Sequence, residues 1–316
     1  EALRRYGTAS ALQPDDDLAA RRLKGIISSA PQPWHIPMMH DRARNEAFDA
    51  VIRDVVKPGD VVLDIGSGSG LLSMMAARAG ASKVYGCDDQ SNICEAARMI
   101  VSQNGMSDRV TILNKRSTDL KVGVDLPRVD VIICEIFDVG FFGEDALRTI
   151  QHAHEHLLKP DGRVVPGAVR IWAVPVCSPR LRKRFEIQTA AGFDVSTFSA
   201  LADPRVMQVY LPSLDYGPLS DPIPALELDL GPGLNLAGQQ PSQFTALESG
   251  TLDGFAFWYD LLFDGKEVLS TGPKDADTHW MQGFLPQWGP ARKINAGETV
   301  SLTTNFSRYL MWFDVV

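Results

Sequence analysis

The sequence predicts an α/β domain built on a parallel sheet, followed by a second, mostly β half. Three observations carry this. Strand and helix signals alternate between residues 61 and 158, the alternation stops after Pro160-Asp161-Gly162, and the segments beyond alternate or run apolar between Gly/Pro-rich turns. At 316 residues the chain exceeds the usual size of one core, so two domains, or one core with a large annex, are expected.

The elements follow in order. Residues 1–30 are polar, with a helix expected at 15–27, and residues 41–56 place apolar side chains at helical spacing. Val61–Ile65 reads as a strand, 71–78 as a helix and Lys83–Asp88 as a strand; Ser91 caps a helix that ends near Gly105. Strands are expected at 110–115 and 129–136, and a helix at 145–158. That rhythm puts helices on both faces of a parallel sheet. Further strands are expected at 164–176 and around 224–230, 254–263 and 299–306, with a polar, partly helical insert at about 179–205.

Composition excludes some functions. Hydrophobic content of 45% and charged content of 22% are ordinary for a soluble globular enzyme. A net charge of -8 argues against general nucleic-acid binding and suits a basic protein or peptide partner. The four cysteines show no zinc-ligand spacing, so reduced thiols are expected. No run approaches the ~20 apolar residues of a membrane span. Glu1-Ala2-Leu3-Arg4-Arg5 carries no secretory apolar region, so a cytoplasmic location, or a nuclear one in a eukaryote, is expected. His152, His154, Glu155 and His156 lack the HExxH order and read as a solvated helix face, with no metal expected. The basic run Arg180-Leu181-Arg182-Lys183-Arg184 reads as a solvated or dimer-facing surface.

Val61-Val62-Leu63-Asp64-Ile65-Gly66-Ser67-Gly68-Ser69-Gly70 is a strand entering a glycine-rich turn, where glycines allow steep backbone angles and close approach. Leu71-Leu72-Ser73 follow, so the third glycine of a dinucleotide fingerprint is missing. Asp88 ends the next strand, placed for a ribose diol. Diphosphate cofactors lean on a helix N-terminus, whereas S-adenosylmethionine has no phosphate and its cationic groups tolerate an acidic loop. The set Asp64, Gly66, Gly68, Gly70 and Asp88 therefore favours S-adenosylmethionine over a nicotinamide dinucleotide.

Glu135 and Glu144 stand nine residues apart. The apolar run before Glu135 places it at the carboxyl end of a strand, where open α/β sheets bind ligands. Gly140 and Gly143 let the chain double back toward it. Two carboxylates in one cleft repel unless a cation lies between them, and a guanidinium is the best planar, forked cation. The alternative is a pair of surface carboxylates on a loop.

Four separated motifs together resemble the protein arginine methyltransferases over roughly residues 34–316: Val62 to Met74, the Glu135 to Glu144 loop, Leu158-Lys159-Pro160-Asp161-Gly162-Arg163-Val164-Val165-Pro166, and Thr278-His279-Trp280. Met38-Met39-His40-Asp41-Arg42-Ala43-Arg44 resembles the helix before the family's core. The resemblance implies a Rossmann-like S-adenosylmethionine-dependent methyltransferase domain at 41–166, after an N-terminal helical segment at 1–40. It implies a β-barrel substrate domain at 167–316, with a helical dimerisation arm at about 179–205 that makes a homodimer. Asn114-Lys115-Arg116-Ser117-Thr118, Phe137-Asp138 and His152-Ala153-His154 look closest to the monomethylating, type III branch. That branch often carries two cores in tandem where this chain shows one, and its N-terminal tyrosine-rich lid is not obvious near Trp34 and His35.

Residue by residue, the resemblance implies that Arg44 binds the methionine carboxylate, Asp88 the ribose hydroxyls, and Ser117 and Thr118 lie by the adenine. Met38 helps decide how many methyls fit, or simply packs. Glu135 and Glu144 hold the guanidinium. Asp41 and His279 pair beside the cleft, as a proton relay or a structural bond. Trp280 walls the substrate channel or packs in the core. The expected reaction is methyl transfer to arginine in a protein or peptide. A methyltransferase for a small guanidino compound and a non-catalytic dimeric scaffold are the alternatives.

Overall fold

In a computed structural model the described residues are 32–201, 206–273, 278–288 and 292–315, with Arg5, Ala9, Leu12, Leu18 and Arg21. The helix expected at 15–27 lies outside them apart from two isolated residues. Helix α1 (His35–His40) turns at Asp41 into α2 (Arg42–Val55), because the Asp41 carboxylate caps the new helix by accepting the Arg44 N–H at 2.9 Å. Phe48, Val51, Ile52 and Val55 form the buried face of α2.

Strands β1 (Val61–Ile65), β2 (Lys83–Asp88), β3 (Val110–Asn114), β4 (Val129–Cys134) and β5 (Leu158–Val165) form a parallel sheet in the order β3-β2-β1-β4-β5. Their cores are nearly continuous Val, Ile and Leu, as a sheet covered on both faces requires. Helices α3 (Leu71–Ala79), α4 (Ser91–Gln103) and α5 (Ala146–His152) make the crossovers. The helix expected between residues 145 and 158 is present over 146–157, α5 passing into a π-helical turn over Ala153–Leu157.

The segment expected as one strand at 164–176 is two. β5 stays in the parallel sheet, while β6 (Ala168–Val176), after Pro166 and Gly167, enters a different one. The arm region 179–201 carries only a four-residue helix, α6 (Pro179–Arg182), the short strands β7 (Thr189–Ala190) and β8 (Phe193–Asp194), and a 3-10 turn at Ser196–Leu201. It is thus partly helical, and 202–205 lie outside the described residues. The β half continues with β9 (Met207–Val209), β10 (Ile223–Asp229), β11 (Gly238–Thr245), β12 (Gly250–Leu252), β13 (Gly254–Phe263), β14 (Lys266–Ser270), β15 (Gln282–Pro286), β16 (Arg292–Ile294), β17 (Thr299–Phe306) and β18 (Met311–Val315). β13 is its spine. It pairs antiparallel with β6, β14 and β15, and every residue but Phe263 is buried. The sheets β10-β6-β13-β15-β9 and β11-β17-β18 give the barrel-like half. One apolar cluster runs from Val62 and Ile133 through Phe141, Phe142 and Tyr259 to Leu302, so a common core joins the two halves.

Candidate active site

β1 lies between β2 and β4, with Ile65 level with Cys134, so the sheet order reverses direction there. The crevice outside the carboxyl ends of such strands is where ligands bind. The glycine turn leaves β1 and Glu135 leaves β4, which sets cofactor-type and acid-type chemistry side by side. Gly66 (φ 74°), Gly68 (φ 49°) and Gly70 (φ 78°) all adopt left-handed angles. A Cβ on Gly66 would stand 2.4 Å from Ile136 Cγ2, so the turn and the glutamate loop are in contact, while at Gly68 nothing is nearer than 4.0 Å. Asp88 stabilises the turn: its Oδ2 accepts the Gly68 N–H at 3.3 Å and its Oδ1 the Gln90 N–H at 2.9 Å. Burial raises the Asp88 pKa. After β3, Ser117 is buried and Thr118 half-buried in one 3-10 turn.

Behind the turn, Asp64 is fully buried and accepts the Ser73 hydroxyl at 2.6 Å. Burial raises its pKa to about 6, against the Ser73 bond and the Arg44 charge. Arg44 is 2% exposed; its Nη2 donates to Glu135 Oε2 at 2.6 Å and its Nη1 to Asn45 Oδ1 at 2.9 Å. Arg44 thus meets one of the two glutamates directly, a pairing the sequence reading did not anticipate. Arg44 Nε, Asp64 Oδ1 and Ser67 Oγ are buried without a hydrogen-bond partner among the described residues. Unsatisfied buried polar atoms are uncommon and costly. Here a donor, an acceptor and a hydroxyl surround one turn, the set that a zwitterionic amino-acid moiety would satisfy. The residues therefore fit S-adenosylmethionine.

The second glutamate is held by an unusual backbone. Phe141 (φ 69°), Glu144 (φ 56°) and Asp145 (φ 60°) are non-glycine residues at left-handed angles, each costing roughly 1–2 kcal/mol. Such strain persists where the surroundings over-determine it. Asp138 Oδ1 accepts the N–H groups of Gly140 and Gly143, both at 3.0 Å, and fixes the middle of the loop. Phe141 and Phe142 are buried, Phe141 against Phe137 and Tyr259 and Phe142 against Phe306. The Glu144 side chain remains open to solvent. Crowding by the surrounding protein raises its pKa nonetheless, and repulsion from Glu135, Asp138, Asp88 and Asp89 adds to this. A cation in the cleft would relieve that repulsion.

Asp41 joins the halves. Its Oδ2 accepts the His279 backbone N–H at 2.8 Å and the Thr278 hydroxyl at 3.1 Å, and lies 2.8 Å from His279 Nδ1. Burial opposes the Asp41 charge, but the His279 side chain and the N–H groups of Arg44 and His279 outweigh it, bringing the pKa down to about 2. Trp280 is buried, its ring 4.1 Å from that of His279 and its Nε1 donating to the Phe137 carbonyl at 3.5 Å. It therefore braces the glutamate loop as a core side chain. Met38 is half-buried on α1, a helix with no buried residue. Asp145 pairs side-on with Arg308 Nε and Nη2, a contact across 163 residues that sequence reading missed because it leaves no local signal. Among the described residues no group of three His, Cys, Asp or Glu side chains could hold a metal, and no helix is long and apolar enough to cross a membrane.

Comparison with known proteins gives this geometry a family. Residues 170–313 match the arginine methyltransferase oligomerization subdomain. Residues 47–191 match the ribosomal protein L11 methyltransferase family, which overlaps the parallel-sheet domain. An arginine N(omega)-methyltransferase of Streptomyces achromogenes subsp. streptozoticus is 39% identical over 279 residues, covering 88% of this chain and 77% of that protein. Protein arginine N-methyltransferase 7 of Rattus norvegicus is 33% identical over 88% of this chain, which spans 45% of the rat protein's length. The Trypanosoma brucei PRMT1 enzyme–prozyme heterotetrameric complex with AdoHcy superposes with a TM-score of 0.76 at 25% identity, covering 88% of each chain. The methyl donor of such enzymes is S-adenosylmethionine, and on these grounds the chain belongs to the arginine N-methyltransferase family.

Proposed function

We propose that the protein transfers one methyl group from S-adenosylmethionine to a terminal guanidino nitrogen of arginine in a protein or peptide, using Glu135 and Glu144 as a clamp. The observation that carries this reading is the pair of carboxylates at the switch-point crevice, where Glu135 already binds a guanidinium, that of Arg44. Asp64, Ser67, Asp88, Ser117, Thr118 and the glycine turn would hold S-adenosylmethionine with Arg44, beside Met38. When bound, the cofactor supplies an electrophilic methyl group. A guanidinium is a poor nucleophile because its lone pairs are delocalised and it stays protonated. Glu135 and Glu144 hold the cationic nitrogens, aim the remaining one and stabilise the charge as it redistributes. His279 donates Nδ1–H to Asp41, which leaves Nε2 as the acceptor for the proton the methylated group releases. Trp280 keeps the loop in register. This core works as a homodimer through the arm, where Phe193, Phe198 and Leu201 are exposed. Four free cysteines suit a reducing compartment such as the cytoplasm.

A second reading has a specific observation behind it. The Streptomyces relative is named for arginine rather than for protein arginine, and this chain spans far more of it than of the rat protein. Free arginine or another small guanidino compound is then the acceptor. Intact-mass analysis of an Arg-rich peptide panel and of free L-arginine, each with S-adenosylmethionine, separates the two. One methyl on peptide arginine, lost in Glu144→Gln, supports the first reading. Methylation of L-arginine alone supports the second, two methyls overturn monomethylation, and full activity in Glu144→Gln overturns the clamp.

A further inference from the structure

The double-glutamate loop ends on an anomaly. Asp145 stands at the N-cap of α5, where an aspartate ordinarily accepts an N–H from the first helical turn, yet its side chain makes no capping bond. Its backbone also holds a left-handed angle that glycine would adopt without strain. Both carboxylate oxygens are instead taken by Arg308, through Nε and Nη2. Arg308 sits in the turn joining β17 to β18, in the other half of the molecule, its guanidinium 4.6 Å from the Tyr309 ring. The same hairpin meets the loop again through Phe306 on Phe142, with ring centroids 5.8 Å apart.

We propose that Arg308 is a positioning residue for arginine methylation: by gripping Asp145 side-on it holds Glu144, one residue earlier, in its strained backbone setting. Arg308 ties the aim of Glu144 to the hairpin of the substrate half, without touching the acceptor. A bidentate guanidinium–carboxylate pair suits this because it fixes orientation as well as distance. Lysine, a point charge, cannot reproduce it. The proposal rests on the clamp reading of Glu135 and Glu144.

The test is a cycle with glycine. Arg308→Ala and Arg308→Lys are assayed for methylation of the acceptor that the wild-type protein uses, and for S-adenosylhomocysteine affinity by calorimetry. Both are repeated in an Asp145→Gly background, where the carboxylate that Arg308 grips is gone and the left-handed angle at 145 is free of strain. The expected result for Arg308→Ala is a fall of about tenfold or more in kcat/KM with cofactor affinity changed by less than about twofold. Arg308→Lys gives little rescue. In the Asp145→Gly background, Arg308→Ala changes kcat/KM by less than about twofold, since nothing is left to hold. An equal loss in both backgrounds overturns the proposal, because Arg308 would then act on the acceptor itself. Wild-type-like activity of Arg308→Ala overturns it too. Glu144→Gln in the same assay keeps the readings apart: if Glu144→Gln is fully active the clamp itself fails, whereas a dead Glu144→Gln beside a fully active Arg308→Ala removes only the positioning role.

Discussion

The glycine turn after β1 and the glutamate loop after β4 leave neighbouring strands and serve one crevice, yet they are built in opposite ways. The turn takes its left-handed angles at Gly66, Gly68 and Gly70, where they cost little, and its supports are near in sequence: Ser73 on Asp64, and Asp88 on Gly68. The loop takes left-handed angles at Phe141, Glu144 and Asp145, where they are strained. Asp138 fixes its middle from within, but its other supports, Phe306, Trp280 and Arg308, come from the far half of the chain. In the proposed reading the turn accepts the same cofactor in every cycle and is set by local chemistry, whereas the loop aims at an acceptor and is set by the half proposed to receive it.

Glu135→Gln tests the comparison most severely. It keeps shape and removes charge, so the lost charge stabilisation lowers kcat by roughly 10²–10³-fold on the oxyanion-hole scale. Arg44 also loses its ionic partner, so S-adenosylhomocysteine affinity, measured by calorimetry, reports whether the two sites share that arginine. An unchanged kcat would show that the carboxylate pair does no chemistry.

The turn itself is probed by Gly66→Ala against Gly68→Ala. Both alanines meet backbone strain, but only at Gly66 does the new Cβ strike Ile136, at 2.4 Å. Gly66→Ala should cost about 2–4 kcal/mol from strain plus overpacking, and Gly68→Ala only the strain, about 1–2 kcal/mol. Urea melts that give equal losses would refute the contact between turn and loop. In the loop, Gly143→Ala is a milder break of about 1–3 kcal/mol, because its Cβ would fall 2.4 Å from the Asp138 carboxylate that holds the Gly140 and Gly143 N–H groups. Its kcat/KM should fall while cofactor affinity holds. A loss of cofactor affinity instead would mean that turn and loop move together.

This difference explains what was legible in the sequence. The turn, Asp88 and Glu135 announce themselves because each stands at the end of an apolar strand, and that placement alone fixes the crevice. β10, β13 and β17 were readable from alternation or continuous apolarity. β11 was not, since Gln239, Gln240, Ser242 and Gln243 make it a polar strand held by pairing with β17. The division of 164–176 between two sheets was hidden because both parts are apolar. Asp41 and His279 could be paired only through the family resemblance, and nothing local joins Arg44 to Glu135 or Asp145 to Arg308. Those contacts belong to the packing of distant elements, which periodicity does not encode.

The finest test of the comparison sets Asp41, which locks the two halves together, against Asp64, which lies behind the turn. The first is fully paired, while the second is fully buried with only the Ser73 hydroxyl on one oxygen, so their titrations run oppositely. Asp41 has its pKa lowered to about 2 from 3.8, so its stabilisation is present above pH ~4 and is lost as pH falls toward 2. Asp64 has its pKa raised to about 6, so stability is highest below pH ~4 and falls as pH rises through 6. The Tm of Asp41→Asn should therefore fall below wild type at pH 7 and approach it in acid. The Tm of Asp64→Asn should move upward relative to wild type between pH 4 and 7, whatever constant offset the amide introduces. S-adenosylhomocysteine carries an ammonium group that can satisfy Asp64, so saturating ligand should flatten that second trend in the wild-type protein. If the trend persists with ligand bound, the Asp64 carboxylate does not meet the cofactor, and its burial serves the fold alone.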